Sequence, residues 1–307
     1  MVITKKSKLP ANRWLIDASI YIFRAYFSLP PNWQSEDGYD TEAVYGFTNF
    51  LLDLCLQAPS RVAVCFDESL ETGFRHQLYP EYKASRALPD EALAFQLGAC
   101  QEVAAALGFA CFASDKYEAD DLIGCLLAHL TAEPEPVAIL TRDKDLGQLL
   151  LREQDYLWDY AADVQLYRGD IFEKFGVWPE QMVDYLALVG DASDDIPGVP
   201  GVGKKTAAQM LANKLSLAAL MAEPNRFASM TFRGAKGMAA KLAEHADQIA
   251  LAQQLAAIVC DVDLLAAGQT LQPREINFTD AAALLQRLGL GRLTKKLDKV
   301  VKLQAGK

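Results

Sequence analysis

The sequence predicts an α/β fold, a parallel sheet covered by helices, followed by an all-helical domain. Three observations predict it. Three short apolar runs each end in an acid: RWLID (13–17), RVAVCFD (61–67) and VAILTRD (137–143). Segments of helical spacing fill the intervals, at 41–57, 91–107 and 119–131. From about residue 179 the strand pattern stops, and Ala- and Leu-rich helical spacing runs through 203–213, 236–257 and 280–288.

Each element follows from its residues. A short run without polar alternation reads as a strand buried on both faces, as in a parallel sheet. Strands alternating with helices give βαβ units. In such sheets ligands gather at the carboxyl ends of the strands, so Asp17, Asp67 and Asp143 are expected at one crevice. The turn-rich stretch VGDASDDIPGVPGVGKK marks a boundary, placed near residue 185. The expected domains are 1–185 (α/β), 186–290 (helical) and 291–307, a tail with six basic side chains and one acid.

Composition narrows the function. Of 307 residues, 51% are hydrophobic and 23% charged, which suits a sizeable core and excludes a largely disordered chain. No stretch nears the length of a membrane span. Asp17 interrupts the only apolar run that could serve as a secretory signal, so none is expected. The six cysteines form no CxxC pair and the three histidines have no HExxH spacing. They read as reduced thiols of a cytoplasmic protein, not as zinc ligands or a disulfide frame. The net charge of −10 argues by itself against nucleic acid, yet the acids are unevenly spread.

Dense clusters join the strand-end acids: Glu118, Asp120 and Asp121 in YEADDLIG, Asp143 and Asp145 in LTRDKDLGQLL, Asp191 and Asp194 in LVGDASDDIPGV. Helix capping accounts for an isolated pair, since acids satisfy orphan N–H groups and the dipole at helix starts. Nine acids, counting Asp17 and Asp67, exceed that account. Two like charges about 4 Å apart repel by about 4 kcal/mol at an effective dielectric of 20, so a set aimed at one sheet edge needs cations. Oxygen donors without His or Cys select hard ions, Mg²⁺ or Mn²⁺. Two such ions about 4 Å apart suit in-line displacement at phosphorus. Without the nine, 31 acids face 30 Lys and Arg, a balance of −1, and the objection to nucleic acid weakens.

GVPGVGKK (198–205) nearly matches a nucleotide-binding P-loop, but Lys205 stands where the hydroxyl belongs and no buried strand leads in. A helix-hairpin-helix turn fits better. Its glycines (Gly198, Gly201, Gly203) let a DNA backbone approach, and the N–H groups at the next helix start, with Lys204, Lys205 and Thr206, hold phosphate. Such contacts carry no sequence information. FRHQLYPEYKASR interleaves Arg75, Lys83 and Arg86 with Phe74, Tyr79 and Tyr82, a pattern for frayed strands, or else a solvated loop with its aromatics in the core. FRGAKGMAAK adds Arg233, Lys236 and Lys241.

Together these motifs resemble the bacterial 5′ nuclease family, the 5′–3′ exonuclease and flap endonuclease domain of the DNA polymerase I type. The matching segments are LIDASIYIFRAYF, FRHQLYPEYKASR, YEADDLIG, ILTRDKDLGQLL, GDASDDIPGVPGVGKKTA and FRGAKGMAAKLAEHADQIALAQQLAAIVCDV, in the family's order over about residues 13–263. The resemblance implies a PIN-like (resolvase-like) catalytic domain with a helical arch, then a helix-hairpin-helix domain, in a stand-alone, monomeric nuclease. It implies two metal positions, one held by Asp17, Asp67, Glu118, Asp120 and Asp121, the other involving Asp143, Asp145, Asp191 and Asp194. Lys83 and Arg86 match the basic pair that engages the scissile phosphate at the base of the arch, and Tyr82 an aromatic that stacks on a base. Some relatives bind K⁺ through turn carbonyls, here those around Val199 and Val202.

The implied activity is two-metal hydrolysis at 5′ ends and 5′ flaps of nicked or branched DNA, in replication and repair, extending to RNA primer 5′ ends. Products would be a 5′-phosphate and a 3′-hydroxyl. Two departures stand out. Asp195 replaces the pattern's usual Asn, and ALPDEALAFQLGACQEV after Arg86 is lightly charged for an arch that grips DNA. The competing readings are a non-catalytic structure-specific DNA-binding protein on the same fold and an RNA-directed PIN-type nuclease. The complete set of nine acids opposes the first.

Overall fold

A computed structural model describes residues 11–68, 71–265 and 270–306. The first elements are β1 (Arg13–Asp17), α1 (Ala18–Ser28), α2 (Glu42–Gln57), β2 (Arg61–Asp67) and α3 (Phe74–Leu78). Next come α4 (Glu91–Ala106), β3 (Ala110–Ser114), α5 (Ala119–Leu130), β4 (Ala138–Leu140), β5 (Tyr156–Asp159) and β6 (Val164–Leu166). Helices follow: α6 (Arg168–Phe175), α7 (Met182–Val189), α8 (Lys204–Met210), α9 (Leu217–Ala222), α10 (Ala235–Glu244), α11 (Ala246–Ala256), α12 (Phe278–Arg287) and α13 (Thr294–Ala305). The chain forms two compact units, one from 1–70, 88–142 and 260–307, the other from 71–87 and 143–259.

In the first unit, four parallel strands lie in the order β3-β2-β1-β4. All five residues of β1 are buried. Successive side chains of a strand point to opposite faces, so both faces of the sheet are covered. Helix α5 packs on β1, β2 and β3, α1 packs on β2, and α2 lies against α1 and α4. Leu15, Ile16, Val62, Val64, Ile139 and Leu140 are fully buried there. Because the strands are parallel, the ends of β1 and β2 and the start of α5 fall at one edge, where Asp17, Asp67 and Glu118–Asp121 stand.

In the second unit, β5 and β6 form an antiparallel hairpin with Leu157 opposite Leu166. Helix α7 packs against α8 and α11, and α3 also meets α11. The helix expected over 236–257 breaks at His245 into α10 and α11. No described helix is long and apolar enough to cross a membrane.

The structure revises four expectations. The strand read as 137–143 ends at Leu140, so Asp143 lies beyond the sheet and belongs to the second unit. The division is not one cut at residue 185, because the chain after 259 returns to the first unit: α12 packs on α4, and α13 on α2. The tail at 291–307 is mostly the helix α13, docked through buried Leu297 and Val300 and a 2.7 Å ion pair from Lys296 to Asp53. Finally, the lightly charged segment after Arg86, expected to belong to an arch, is mostly the helix α4 packed on α2, and only the five-residue α3 and turns lie just before Arg86. Helix α4, after it, buries Ala99, Cys100, Val103 and Ala104, with Gln96 accepting the Ala43 N–H at 2.8 Å.

The α12–α13 corner explains how distant sequence is held in the first unit. Gly289 has φ +72°, and a Cβ there would meet Gln34 O. Thr41 Oγ1 donates to Leu288 O at 3.0 Å beside it. Gly289→Ala therefore combines left-handed strain with a backbone clash and should cost about 2–4 kcal/mol. A melting temperature at least about 4 °C lower than wild type is expected; an unchanged one would show that this corner does not hold the unit together.

Candidate functional site

Five of the nine acids sit at the sheet edge of the first unit. Asp17 ends β1, is 4% exposed, and accepts the Thr141 hydroxyl on Oδ2 at 2.8 Å. Asp67 ends β2; its Oδ1 accepts the Ala119 N–H at 2.7 Å and its Oδ2 the Ser19 hydroxyl at 2.8 Å. Glu118 and Asp121 form a reciprocal capping box on α5, with the Glu118 N–H donating to Asp121 Oδ2 at 3.1 Å. Capping is thus real at this helix, as the simpler reading of the sequence allowed, and Asp120 stands outside it. The buried Cys65 thiol is pushed well up, first by burial and then by the charges of Asp17, Asp67 and Asp120, which marks these three as neighbours of one residue.

The other four acids lie in the second unit, each engaged with a basic side chain or a backbone donor. Asp143 Oδ1 accepts the Asp145 N–H at 2.8 Å. Lys144 Nζ lies 3.0 Å from Asp191 Oδ2 and 3.3 Å from both Asp145 oxygens. Asp191 Oδ1 accepts the backbone N–H and the hydroxyl of Ser193. Burial alone would raise the Asp191 carboxyl, but Ser193 and Lys144 outweigh it and hold it at about 2. Asp145 goes the other way: burial, then the Asp143 charge, lift it to about 7 against the pull of Lys144. Its Oδ1 is buried and accepts no hydrogen bond.

Asp194 anchors the segment that carries the basic pair. It ion-pairs with Arg86 and with Lys83, the latter at 3.8 Å, and accepts the Tyr82 hydroxyl at 3.2 Å. The Lys83 N–H donates to Asp194 O at 3.0 Å, and the Ser85 N–H to Asp195 Oδ2 at 2.9 Å. Lys83 and Asp195 are both left-handed, with φ near 55°. Asn and Asp tolerate that region better than most residues, so an Asp suits the backbone at 195.

The geometry corrects two sequence expectations. Tyr82 is 2% exposed, with His76 edge-on to its ring at 5.3 Å and Lys83 Nζ 4.9 Å above it, so it offers no face to a base. Arg75 is 4% exposed and donates to Leu255 O and Ala257 O at 2.8 and 2.7 Å, so it fixes the fold rather than gripping DNA. Both errors have one source: aromatics and cations alternate alike in a binding loop and in a buried brace.

The glycine turn follows α7 with no strand leading into it. Gly198 packs directly on the Val189 backbone, Gly201 is left-handed, and Gly203 precedes α8. Lys204, Lys205, Arg233 and Lys236 are exposed, while Thr206 is half-buried. Lys241 Nζ donates to Pro200 O at 2.9 Å and Gln248 to Gly198 O at 2.7 Å, which ties α10 and α11 to the turn. Val199 O accepts the Val202 N–H. Sequence reasoning missed Lys144, Ser193, Gln248 and the hydroxyls of Ser19 and Thr141. Only Lys144 left a signal, as a cation between two acids in Asp143-Lys144-Asp145.

Whether these residues suit divalent ions rests on the donor set. It is oxygen-only and includes the buried Asp145 oxygen without a hydrogen bond, which fits a hard cation. Among the described residues no three acid, His or Cys side chains already close on one point as a finished cage.

The metal-free protein makes a pH prediction. The folded Asp145 carboxyl sits at about 7, above its ordinary value near 3.9. The protonated form is therefore favoured by folding. That contribution is whole below the ordinary value and is lost as pH rises through about 7. In EDTA, the stability of wild type relative to Asp145→Asn should fall by about 3 kcal/mol between about pH 4.5 and 7.5. Parallel stability curves for the two proteins would contradict the raised carboxyl.

Comparison with known proteins agrees with this architecture. The model of the 5′–3′ exonuclease N-terminal resolvase-like domain matches residues 12–176, and that of the 5′–3′ exonuclease C-terminal SAM fold matches 177–279. DNA polymerase I of Pseudomonas aeruginosa is 41% identical over 277 residues, covering 89% of this chain and 30% of the polymerase. DNA polymerase I of Bacillus subtilis is 32% identical over 299 residues, covering 96% and 33%. The chain thus spans about a third of the length of these relatives. The T5 5′-exonuclease with divalent zinc ions bound shares the fold at TM-score 0.63 and 17% identity, over 94% of this chain and 98% of that one. The catalytic core of Rad2 in complex with DNA substrate does so at 0.62 and 15%, over 95% and 92%. With the two domain models matched end to end along residues 12–279, the chain belongs to the 5′–3′ exonuclease family.

Proposed function

We propose that the chain is a metal-dependent 5′ nuclease that hydrolyses phosphodiester bonds at 5′ ends and 5′ flaps of branched DNA, in replication and repair. The observation that carries this reading is the set of acids at one sheet edge: Asp17 and Asp67 end the adjacent parallel strands β1 and β2, and Asp120 lies in the first turn of α5, whose Ala119 N–H Asp67 accepts. The DNA and divalent ions bound to the Rad2 core and the T5 exonuclease support the substrate and cofactor.

Divalent ions, Mg²⁺ or Mn²⁺, supply when bound the charge that activates the attacking water and offsets the leaving 3′ oxygen. Asp17, Asp67, Glu118, Asp120 and Asp121 would hold one, and Asp143, Asp145, Asp191 and Asp194 the other. The chain's own residues do the rest. Thr141 and Ser19 orient the Asp17 and Asp67 carboxylates. Lys83 and Arg86, paired with Asp194 here, are the cations that would engage the scissile phosphate, where positive charge contributes most as negative charge develops. Tyr82 acts as a positioning residue by fixing Asp194. The turn at 198–206, with Lys204, Lys205, Arg233 and Lys236, forms a helix-hairpin-helix grip on duplex phosphates. That grip is blind to sequence, so shape selects the substrate. K⁺ at this turn would share it with the Lys241 ammonium, which already satisfies the Pro200 carbonyl. RNA primer 5′ ends belong to the same substrate class, and the protein is expected to act as a cytoplasmic monomer.

The test is a labelled 5′-flap duplex. Cleavage to a 5′-phosphate product in Mg²⁺ or Mn²⁺, and none in EDTA, is expected; full cleavage in EDTA would refute the reading. Lys204→Ala with Lys205→Ala should lower the slope of log affinity against log salt by about 2, equally for unrelated duplexes. A loss confined to one sequence would contradict the phosphate grip.

A further inference from the structure

The acidic cluster of the second unit already contains a cation, Lys144. Its Nζ stands between two carboxylates, 3.0 Å from Asp191 Oδ2 and 3.3 Å from the Asp145 oxygens, with Asp143 one residue away in the chain. We propose that Lys144 is a tethered counter-ion. It offsets one unit of the charge of the Asp143, Asp145 and Asp191 cluster in the metal-free protein and leaves it when a divalent cation binds. The inference rests on the reading that these acids hold such an ion.

Charge and space both require the exchange. With all three carboxylates ionised they carry −3; Lys144 reduces this to −2, and a divalent ion in its place to −1. A hard ion binds carboxylate oxygens at about 2.0–2.6 Å. An ion at that distance from Asp191 Oδ2, on the side facing Asp145, would crowd the ammonium already there. Two cations so close repel each other. Lys144 can yield without backbone change, because its charge sits on a flexible four-carbon stem and its side chain is 40% exposed. Asp191 stays in place meanwhile, since Ser193 holds its other oxygen by two hydrogen bonds. Asp145 Oδ1 is buried and faces the ammonium at 3.3 Å without accepting a hydrogen bond from it. Asp194 differs, being held by Lys83 and Arg86 from another segment.

The experiment is calorimetric titration of the DNA-free protein with MnCl₂, for wild type and Lys144→Met. The variant should bind one Mn²⁺ at least tenfold more tightly, and in EDTA it should melt at a lower temperature. In a second arm, acetic anhydride labelling of wild type is read by mass spectrometry. Lys144 should become more reactive in saturating Mn²⁺. Equal or weaker Mn²⁺ binding by the variant, while wild type binds normally, overturns the counter-ion role and leaves the nuclease reading standing. Should Lys144→Met fail to fold, unchanged Lys144 labelling with Mn²⁺ overturns it. Wild type that binds no Mn²⁺ overturns both.

Discussion

Repulsion between carboxylates governs this molecule's functional surfaces. Each pair of neighbouring acids costs energy, and in a partly buried setting the cost reaches several kcal/mol. The chain meets that cost differently in its two units. At the sheet edge of the first, the acids accept hydrogen bonds from hydroxyls and from the α5 helix start. In the second, Lys144, Lys83 and Arg86 stand among them. Both solutions keep the carboxylates in position without metal.

This division of labour explains why capping and metal binding need not be rival accounts of the same residues. Glu118 and Asp121 cap α5, and Asp67 at the end of β2 accepts the Ala119 N–H of the same helix start. A carboxylate that satisfies one N–H still has lone pairs to spare. The fold therefore places the acids by ordinary secondary-structure energetics, and cation chemistry uses what that placement leaves over.

Much of the fold was legible in the sequence because it is set by local pattern. The runs at 13–17 and 61–67 are strands, and the spacing at 41–57, 91–107 and 119–131 is helical to within a residue or two. What could not be read was long-range packing. Nothing in the spacing of residues 280–288 says that this helix returns to α4, and the basic residues of 291–307 hid a helix docked by Leu297 and Val300. At the site, acid positions were legible because nine acids gathered in a few strand-end and helix-start segments exceed what helix capping accounts for. The roles of Arg75 and Tyr82 were not, because burial depends on residues near 194 and 255 that are far away in sequence. Lys144 was hidden by its neighbours, since a lysine between two acids on a surface is unremarkable until the chain brings Asp191 to it.

The central claim is that these nine carboxylates form two cation sites. Diffraction from crystals of the protein soaked in Mn²⁺, with anomalous signal collected at the manganese edge, tests it most directly. The account predicts one peak bounded by Asp17, Asp67 and Asp120 and a second bounded by Asp145 and Asp191, with the Lys144 side chain withdrawn. Full-occupancy soaks with no anomalous peak at either position would contradict it.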